Sequence, residues 1–172
     1  MKVTIWKGWH YCNILFSRIL HVRLFKALST VKFEIILSDS MWYSTKELGD
    51  FTNKLCGFSY GHPHKNSIRI GWRPSDEVGK IDLFYYSYNN GKRVITPFIT
   101  INTGSRYRFI MNVMDTAVEF ICEDNGDYKF KKFPFIKPES CLYSTILYPY
   151  FGGNPTAPNE MKLKFKVLHK FY

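Results

Sequence analysis

The fold is decided by residues 80–101, which read KIDLFYYSYNNGKRVITPFITI. Asn89-Asn90-Gly91 lies between two runs that are rich in β-branched and aromatic residues. An Asn-Gly pair supplies the positive φ angles of a type I′ turn, which matches the twist of two paired strands. The stretch therefore predicts a β-hairpin with strands at Lys80–Tyr88 and Lys92–Ile101.

The run before this hairpin, Ser67–Arg73, has two chemically different faces. One face carries Ile68, Ile70 and Trp72, and the other carries Ser67, Arg69, Gly71 and Arg73. Alternation with a period of two indicates a half-buried strand, whose arginine side faces water or a ligand. We expect the three strands to form the middle of one antiparallel sheet. Pro97 cannot donate to a strand ladder and marks a bulge or an edge position.

The rest of the chain repeats this pattern of short strands and turns. Further strands are predicted at Lys2–Trp6, Thr30–Ser38, Leu55–Tyr60, Arg106–Met114, Ala117–Cys122, Tyr128–Phe135, Cys141–Tyr148 and Met161–Val167. About ten or eleven short strands without a long helical period predict an all-β sandwich or barrel. We expect one domain over residues 1–172, with 13–28 open between a strand with a loop and a short helix.

The formal net charge of +10 favours anionic partners. The basic residues form no dense run, which disfavours dedicated DNA binding. The four cysteines are widely spaced, without a CxxC or a zinc-type Cys/His cluster, so we expect reduced thiols, no metal and no cofactor. No signal peptide is recognised at the N-terminus, and the apolar run 14–28 is too short and too charged to span a bilayer. We expect a host cytoplasm or virion location.

Two stretches and the hairpin between them carry a family resemblance. They are LCGFSYGHPHKNSIRIGWR at 55–73, YNNGKR at 88–93 and LYPYFGGNPTAP at 147–158. Together they resemble small uncharacterised proteins encoded by Bacteroidetes and their phages, which are similar to concanavalin-like jelly-roll sandwiches. The resemblance covers the chain from about residue 31 onward. It implies an antiparallel two-sheet jelly roll and a phage-related role, but it implies no activity.

The candidate ligand-binding residues combine basic and aromatic side chains that a sheet face or its rim would present. They are Arg69, Arg73, Tyr86, Tyr88, His62, His64, Tyr150 and Asn154. Arginine clamps acidic groups and tyrosine rings stack on a sugar or a base. Arg106 and Arg108 are alternative neighbours of the first two arginines. The same residues could instead form a ladder that only stabilises a solvent-facing sheet.

The motifs for catalysis are weaker. Glu119, Glu123 and Asp124 lack the spacing of the carboxylates in sandwich glycosidases. His62 and His64 have no identifiable third metal ligand. A uronate lyase is the better enzymatic hypothesis, with arginine to neutralise the uronate and a Tyr/His pair for proton transfer. The Tyr-Phe-Gly-Gly-Asn stretch at 150–154 is only loosely similar to the corresponding motif of alginate lyases.

Three functional hypotheses follow. The first is a non-enzymatic binding or accessory protein that is phage-related and binds a glycan or a virion surface. The second is an intracellular, sponge-like binder of an anionic nucleotide-type ligand. The third is a polysaccharide lyase acting on a uronate glycan. Virion proteins and a second copy of the chain are further candidate partners.

Overall fold

The computed structural model describes residues 1–14, 22–24, 28–48 and 51–171. Of the open segment 13–28, residues 22–24 form a strand, and the interpretation of 15–21 and 25–27 lies outside the described residues. The described helices are short, a 3-10 turn at Asp39–Met41 and one α-helical turn, α1, at Thr45–Leu48. None of them is long and apolar enough to cross a membrane.

The strands of the described residues are numbered in chain order. They are β1 Lys2–Ile5, β2 Val22–Leu24, β3 Thr30–Leu37, β4 Asn53–Tyr60, β5 Ser67–Pro74, β6 Lys80–Asn89, β7 Lys92–Asn102, β8 Arg106–Val113, β9 Ala117–Asp124, β10 Asp127–Pro134, β11 Tyr143–Leu147 and β12 Met161–Phe171. Every run that the sequence predicts as a strand forms one.

The strands build two antiparallel sheets. Sheet 1 has the order β1-β12-β3-β8-β9-β10, and sheet 2 has the order β2-β11-β4-β5-β6-β7. Consecutive strands are hairpin neighbours from β4 to β7 and from β8 to β10. The chain then passes from β10 in sheet 1 to β11 in sheet 2 and returns to sheet 1 with β12. This confirms the predicted all-β, antiparallel two-sheet sandwich.

The inner faces of both sheets form one apolar cluster. From sheet 2, Trp72 and Tyr85 are fully buried, and from sheet 1, Phe33 and Phe120 are fully buried. The alternation of β5 and β6 puts their apolar residues here, so that the intervening residues of both strands face away from the core. Burial of large aromatic side chains between the sheets is the main source of stability for such a sandwich.

The predicted hairpin is confirmed. Asn90 and Gly91 have φ angles of 49° and 82°, and Asn89 pairs with Lys92 across the turn. Pro97 lies opposite Phe84, next to a register shift, as a bulge requires. The expected position of the third strand was wrong, because β7 lies at the edge of sheet 2 among the described strands while β4 and β11 continue the sheet beyond β5. Its outer residues are exposed, which fits an edge that carries a proline.

The four cysteines are free, with Cys12, Cys56 and Cys122 buried and Cys141 half-buried. Burial raises the pKa of the Cys56 thiol well above its usual range and that of Cys122 to about 12. These thiols are therefore protonated at neutral pH and behave as small apolar side chains of the core.

Candidate ligand-binding groove

The outer face of sheet 2 carries a groove of about 570 Å³. Its lining comes from five strands, two loops and the segment after β1, and consists of Tyr11, Lys54, His62, Pro63, His64, Arg69, Tyr86, Tyr88, Arg93, Thr145, Ile146, Leu147, Tyr148, Tyr150 and Gly153. Most of these side chains are aromatic or basic. The groove thus coincides with the face that the alternation of β5 turns away from the core.

Arg69 lies at the centre of this face. It pairs with Gly57 of β4 on one side and with Tyr86 of β6 on the other. A Cβ at Gly57 would lie 2.1 Å from the carbonyl oxygen of Ile68, so only glycine allows the two strands to approach this closely. Arg69 is only 9% exposed, although it lies on the face that the sequence predicts to meet water or a ligand. A guanidinium group so enclosed has lost most of its water, and an anionic ligand would replace that water.

Lys54 brings a second cation to the groove. Its strand has a register shift between Lys54 and Cys56, and beyond that shift its backbone pairs with Tyr150 in both directions at 3.0 and 2.9 Å. The Lys54 Nζ lies 5.0 Å from the ring centroid of Tyr150 and 5.5 Å from that of Tyr86. Burial, followed by the charges of Arg69 and Arg93, lowers the pKa of Lys54 to about 8.

Tyr150 is held in place by neighbours on both sides. The His10 ring stacks on it at 5.4 Å, and the Tyr11 ring meets it edge-on at 5.0 Å. The Nδ1–H of His10 donates to the carbonyl oxygen of Phe151 at 2.9 Å, which fixes the His10 ring. A Cβ at Gly152 would lie 2.3 Å from the Tyr150 ring, so glycine is required for this ring position. Burial, followed by Tyr11, raises the pKa of the Tyr150 hydroxyl, which therefore stays protonated at neutral pH.

The opposite wall is a row of aromatic rings from the 62–64 loop and β6. The His62 and His64 rings are 5.5 Å apart, the His64 and Tyr88 rings 5.2 Å, and the Tyr88 and Tyr86 rings 5.9 Å. Burial, followed by the charges of Arg69, His62 and Lys54, lowers the pKa of His64, so this imidazole is neutral at pH 7. Burial and the Tyr88 hydroxyl raise the pKa of Tyr86 to about 12.

The charge of the groove has one sign. Lys54, Arg69 and Arg93 contribute three basic groups, and no described residue that lines the groove is Asp or Glu. Burial of Lys54, followed by repulsion from Arg69 and Arg93, lowers the pKa of this lysine. Such an arrangement favours a ligand with several negative charges.

The structure brings six of the eight predicted site residues together, namely His62, His64, Arg69, Tyr86, Tyr88 and Tyr150. Arg73 and Asn154 do not line the groove. The Nε of Arg73 lies 3.8 Å from Asp82 Oδ2, and its guanidinium lies 4.9 Å above the Phe84 ring. Asn154 is exposed on the rim, one residue after Gly153. The two arginines of β5 therefore share a face but have different environments.

The alternative prediction, which placed Arg106 and Arg108 beside the arginines of β5, was wrong, because β8 belongs to sheet 1. There Arg108 donates to Glu123 at 3.1 Å and lies 3.6 Å from Glu34. Glu119 accepts a hydrogen bond from Asn112 at 3.3 Å in the same sheet. The carboxylates considered for glycosidase chemistry are thus paired on sheet 1, away from the groove.

Sequence reasoning missed Lys54, Arg93 and Tyr11. Arg93 could have been found, because the Asn90-Gly91 turn fixes the hairpin register and places Arg93 opposite Tyr88. Lys54 was outside the predicted strand, and an isolated bridge to Tyr150 places Tyr11 beside the groove. In the described part of the chain, no three His, Cys, Asp or Glu residues cluster as a metal site would require.

No family model matches the sequence. No curated protein matches it by sequence comparison. Among solved structures, the fold is similar to the alginate lyase from Klebsiella pneumoniae, with a TM-score of 0.60 and 10% identity over 83% of this chain and 60% of that one. It is also similar to an alginate lyase from Chlorella virus, with a TM-score of 0.54 and 14% identity over 96% of this chain and 81% of that one.

A third structure, described as a native glycosidic hydrolase, has a TM-score of 0.50 and 11% identity over 100% of this chain and 77% of that one. The chain spans less than two thirds of the length of the Klebsiella enzyme. At these identities the likeness shows the fold alone, and it confirms the jelly-roll part of the predicted resemblance.

Proposed function

We propose that the groove of sheet 2 binds an acidic oligosaccharide, with uronate carboxylates as the charged groups. The observation that carries this proposal is the convergence of Lys54, Arg69 and Arg93 in a groove whose described lining has no carboxylate. A planar carboxylate matches the fork of a guanidinium group, which gives Arg69 the role of the main anchor.

The aromatic walls support a sugar ligand. Tyr86, Tyr88 and Tyr150 present ring surface beside the cations, and a sugar ring has apolar C–H faces that pack on such rings. The hydroxyls of Tyr86 and Tyr150 are protonated at neutral pH, so they offer hydrogen-bond donors to sugar oxygens. Two proteins of similar fold are alginate lyases, and alginate is a polymer of uronic acids.

The proposed role is that of a binding or accessory protein. In a phage, such a module would attach a virion to an acidic surface glycan, and this part rests on the resemblance to phage-encoded proteins alone. The cytoplasmic, nucleotide-binding role uses the same cations and rings, with phosphate in place of carboxylate. Nucleotides therefore belong in the binding test as competing ligands.

Lyase activity is the second candidate, and one observation favours it. Neutral His64 and protonated Tyr150 share the groove with Arg69, so a proton acceptor, a proton donor and a carboxylate clamp are all present. In a β-elimination, His64 would take the proton from C5, the C4–O4 bond would break as the C4–C5 double bond forms, and Tyr150 would protonate the leaving O4. Arg69 would neutralise the carboxylate as negative charge develops.

Isothermal titration calorimetry on the full chain tests the proposal. The ligands are a short oligouronate, a neutral oligosaccharide of the same length and a nucleoside monophosphate. We expect binding of the oligouronate only, and Arg69→Met to weaken it by about 1.5–3 kcal/mol, or roughly tenfold or more. Arg73→Met is the matched control, because Arg73 is on the same strand and face but outside the groove.

Equal binding of the neutral sugar, or no effect of Arg69→Met, would refute the proposal. Stronger binding of the nucleotide than of the oligouronate would favour the nucleotide-binding hypothesis for the groove. Ultraviolet absorbance of an unsaturated sugar product, abolished by Tyr150→Phe, would establish the lyase.

A further inference from the structure

A second aromatic surface lies next to the groove, at the N-terminal turn. Trp6 and Trp9 are 42% and 57% exposed, and their rings meet edge-on at 5.7 Å. Tryptophan is among the costliest side chains to leave in water, and two of them together form an apolar platform. Lys7 is exposed between them, so the platform also carries a positive charge.

The platform is held in a defined position. The Trp9 N–H donates to the carbonyl oxygen of Trp6 at 3.0 Å, and Gly8 adopts a φ of 78° within this turn. The turn is bonded in both directions to Ala157, because the Gly8 N–H donates to the Ala157 carbonyl at 2.8 Å and the Ala157 N–H donates to Trp9 at 3.1 Å. The tryptophans are thus anchored to the rim loop and not carried on a loose terminus.

The platform is continuous with the groove. Tyr11 lines the groove and pairs with Tyr150, and Trp9 precedes Tyr11 by two residues, a Cα distance of at most about 7 Å. The rim loop makes the same connection, because Gly153 lines the groove and Ala157 bonds to Trp9. The backbone at Trp9 therefore lies beside the end of the groove that Tyr11 and Tyr150 form.

We propose that Trp6 and Trp9 form an outer subsite, which binds further sugar rings of the same acidic oligosaccharide beyond the end of the groove. The rings would stack on the sugar faces and Lys7 would attract a carboxylate of the chain. This inference rests on the proposed function and names its ligand more narrowly, as a chain long enough to occupy both surfaces.

The test is the dependence of affinity on ligand length. Calorimetry on the full chain compares a uronate disaccharide with a uronate hexasaccharide. We expect the wild-type protein to bind the hexasaccharide more tightly, and Trp9→Ala to weaken hexasaccharide binding by about five- to tenfold while disaccharide binding stays within about twofold. Trp9→Phe keeps a ring and is expected to retain most of the gain with length.

Tyr128→Ala is the matched control, because Tyr128 is an aromatic residue that is 61% exposed on β10 of sheet 1, and it is expected to change neither affinity. An unchanged gain with length in Trp9→Ala would overturn the outer subsite and leave the groove proposal intact. An equal loss for both ligands would also overturn it, since Trp9 would then act through the position of Tyr150. Absence of binding of either ligand to the wild-type protein would refute the proposed function, and the outer subsite with it.

Discussion

Replacement of Lys54 by methionine tests whether the positive charge of this lysine destabilises the folded protein. Methionine keeps the length of the side chain and removes the ammonium group, which lies between the Tyr86 and Tyr150 rings. Because burial and two neighbouring arginines disfavour the charged form of Lys54, we expect Lys54→Met to be more stable than the wild-type protein at neutral pH. The same substitution should weaken oligouronate binding, as it removes a cation from the groove.

The pKa of Lys54 sets the size of the effect. It is lowered from 10.5 to about 8. Because the side chain is still partly exposed, solvent screening reduces the corresponding free energy, and we expect Lys54→Met to raise the free energy of unfolding by about 1–2 kcal/mol at pH 7. The unfolded state binds more protons than the folded state between pH 8 and 10.5, so the wild-type protein recovers stability as the pH rises through this window.

Urea unfolding of both proteins at pH 7 and above pH 10.5 measures this difference. The advantage of Lys54→Met should be full at the lower pH and absent at the higher one, since Lys54 is then neutral in both states. Lys164→Met, at an exposed position of β12 in sheet 1, is the control, and its free energy of unfolding should stay within about 0.5 kcal/mol of the wild-type value. A less stable Lys54→Met variant, or an advantage that does not change with pH, would refute the reasoning.

Two further predictions concern Gly152 and Arg73. Gly152→Ala places a Cβ 2.3 Å from the Tyr150 ring, so we expect a loss of about 1–3 kcal/mol in urea unfolding and weaker oligouronate binding. An unchanged stability would show that the ring is free to move. Arg73→Met breaks a partly exposed ion pair with Asp82 and should cost less than about 1 kcal/mol, with a melting temperature close to that of the wild-type protein. A large drop would show that Arg73 supports the sheet.

The sandwich could be predicted because its signals are local. The Asn90-Gly91 turn and the alternation of β5 each depend on residues close in the chain, and the structure has both. Pro97 left an edge position of β7 open, but the sequence could not decide it, because it depends on β4 and β11 pairing on the other side of β5, and β11 is far along the chain. Strand order is a property of the whole sandwich, which no short stretch encodes.

The residues of the groove, like the strands, could be predicted only where local sequence decides their position. Arg69 and Tyr86 were identified because strand alternation gives their face directly. Lys54 was not, because it reaches the groove through a register shift and through a bridge to Tyr150 across the chain. Arg73 has the same parity as Arg69, but its neighbours on the adjacent strand, Asp82 among them, are decided by a register that the sequence leaves open.

A comparison with the outer face of sheet 1 supports a ligand site over a stabilising ladder on sheet 2. On sheet 1, Arg108 lies between Glu34 and Glu123, so its charge is balanced within the sheet. That is the arrangement expected where cross-strand pairs serve stability. The groove instead gathers Lys54, Arg69 and Arg93, with no carboxylate among its described lining. Burial, followed by the charges of the two arginines, lowers the pKa of Lys54. Like charges brought together in this way disfavour the folded state, and this cost supports the proposed ligand site.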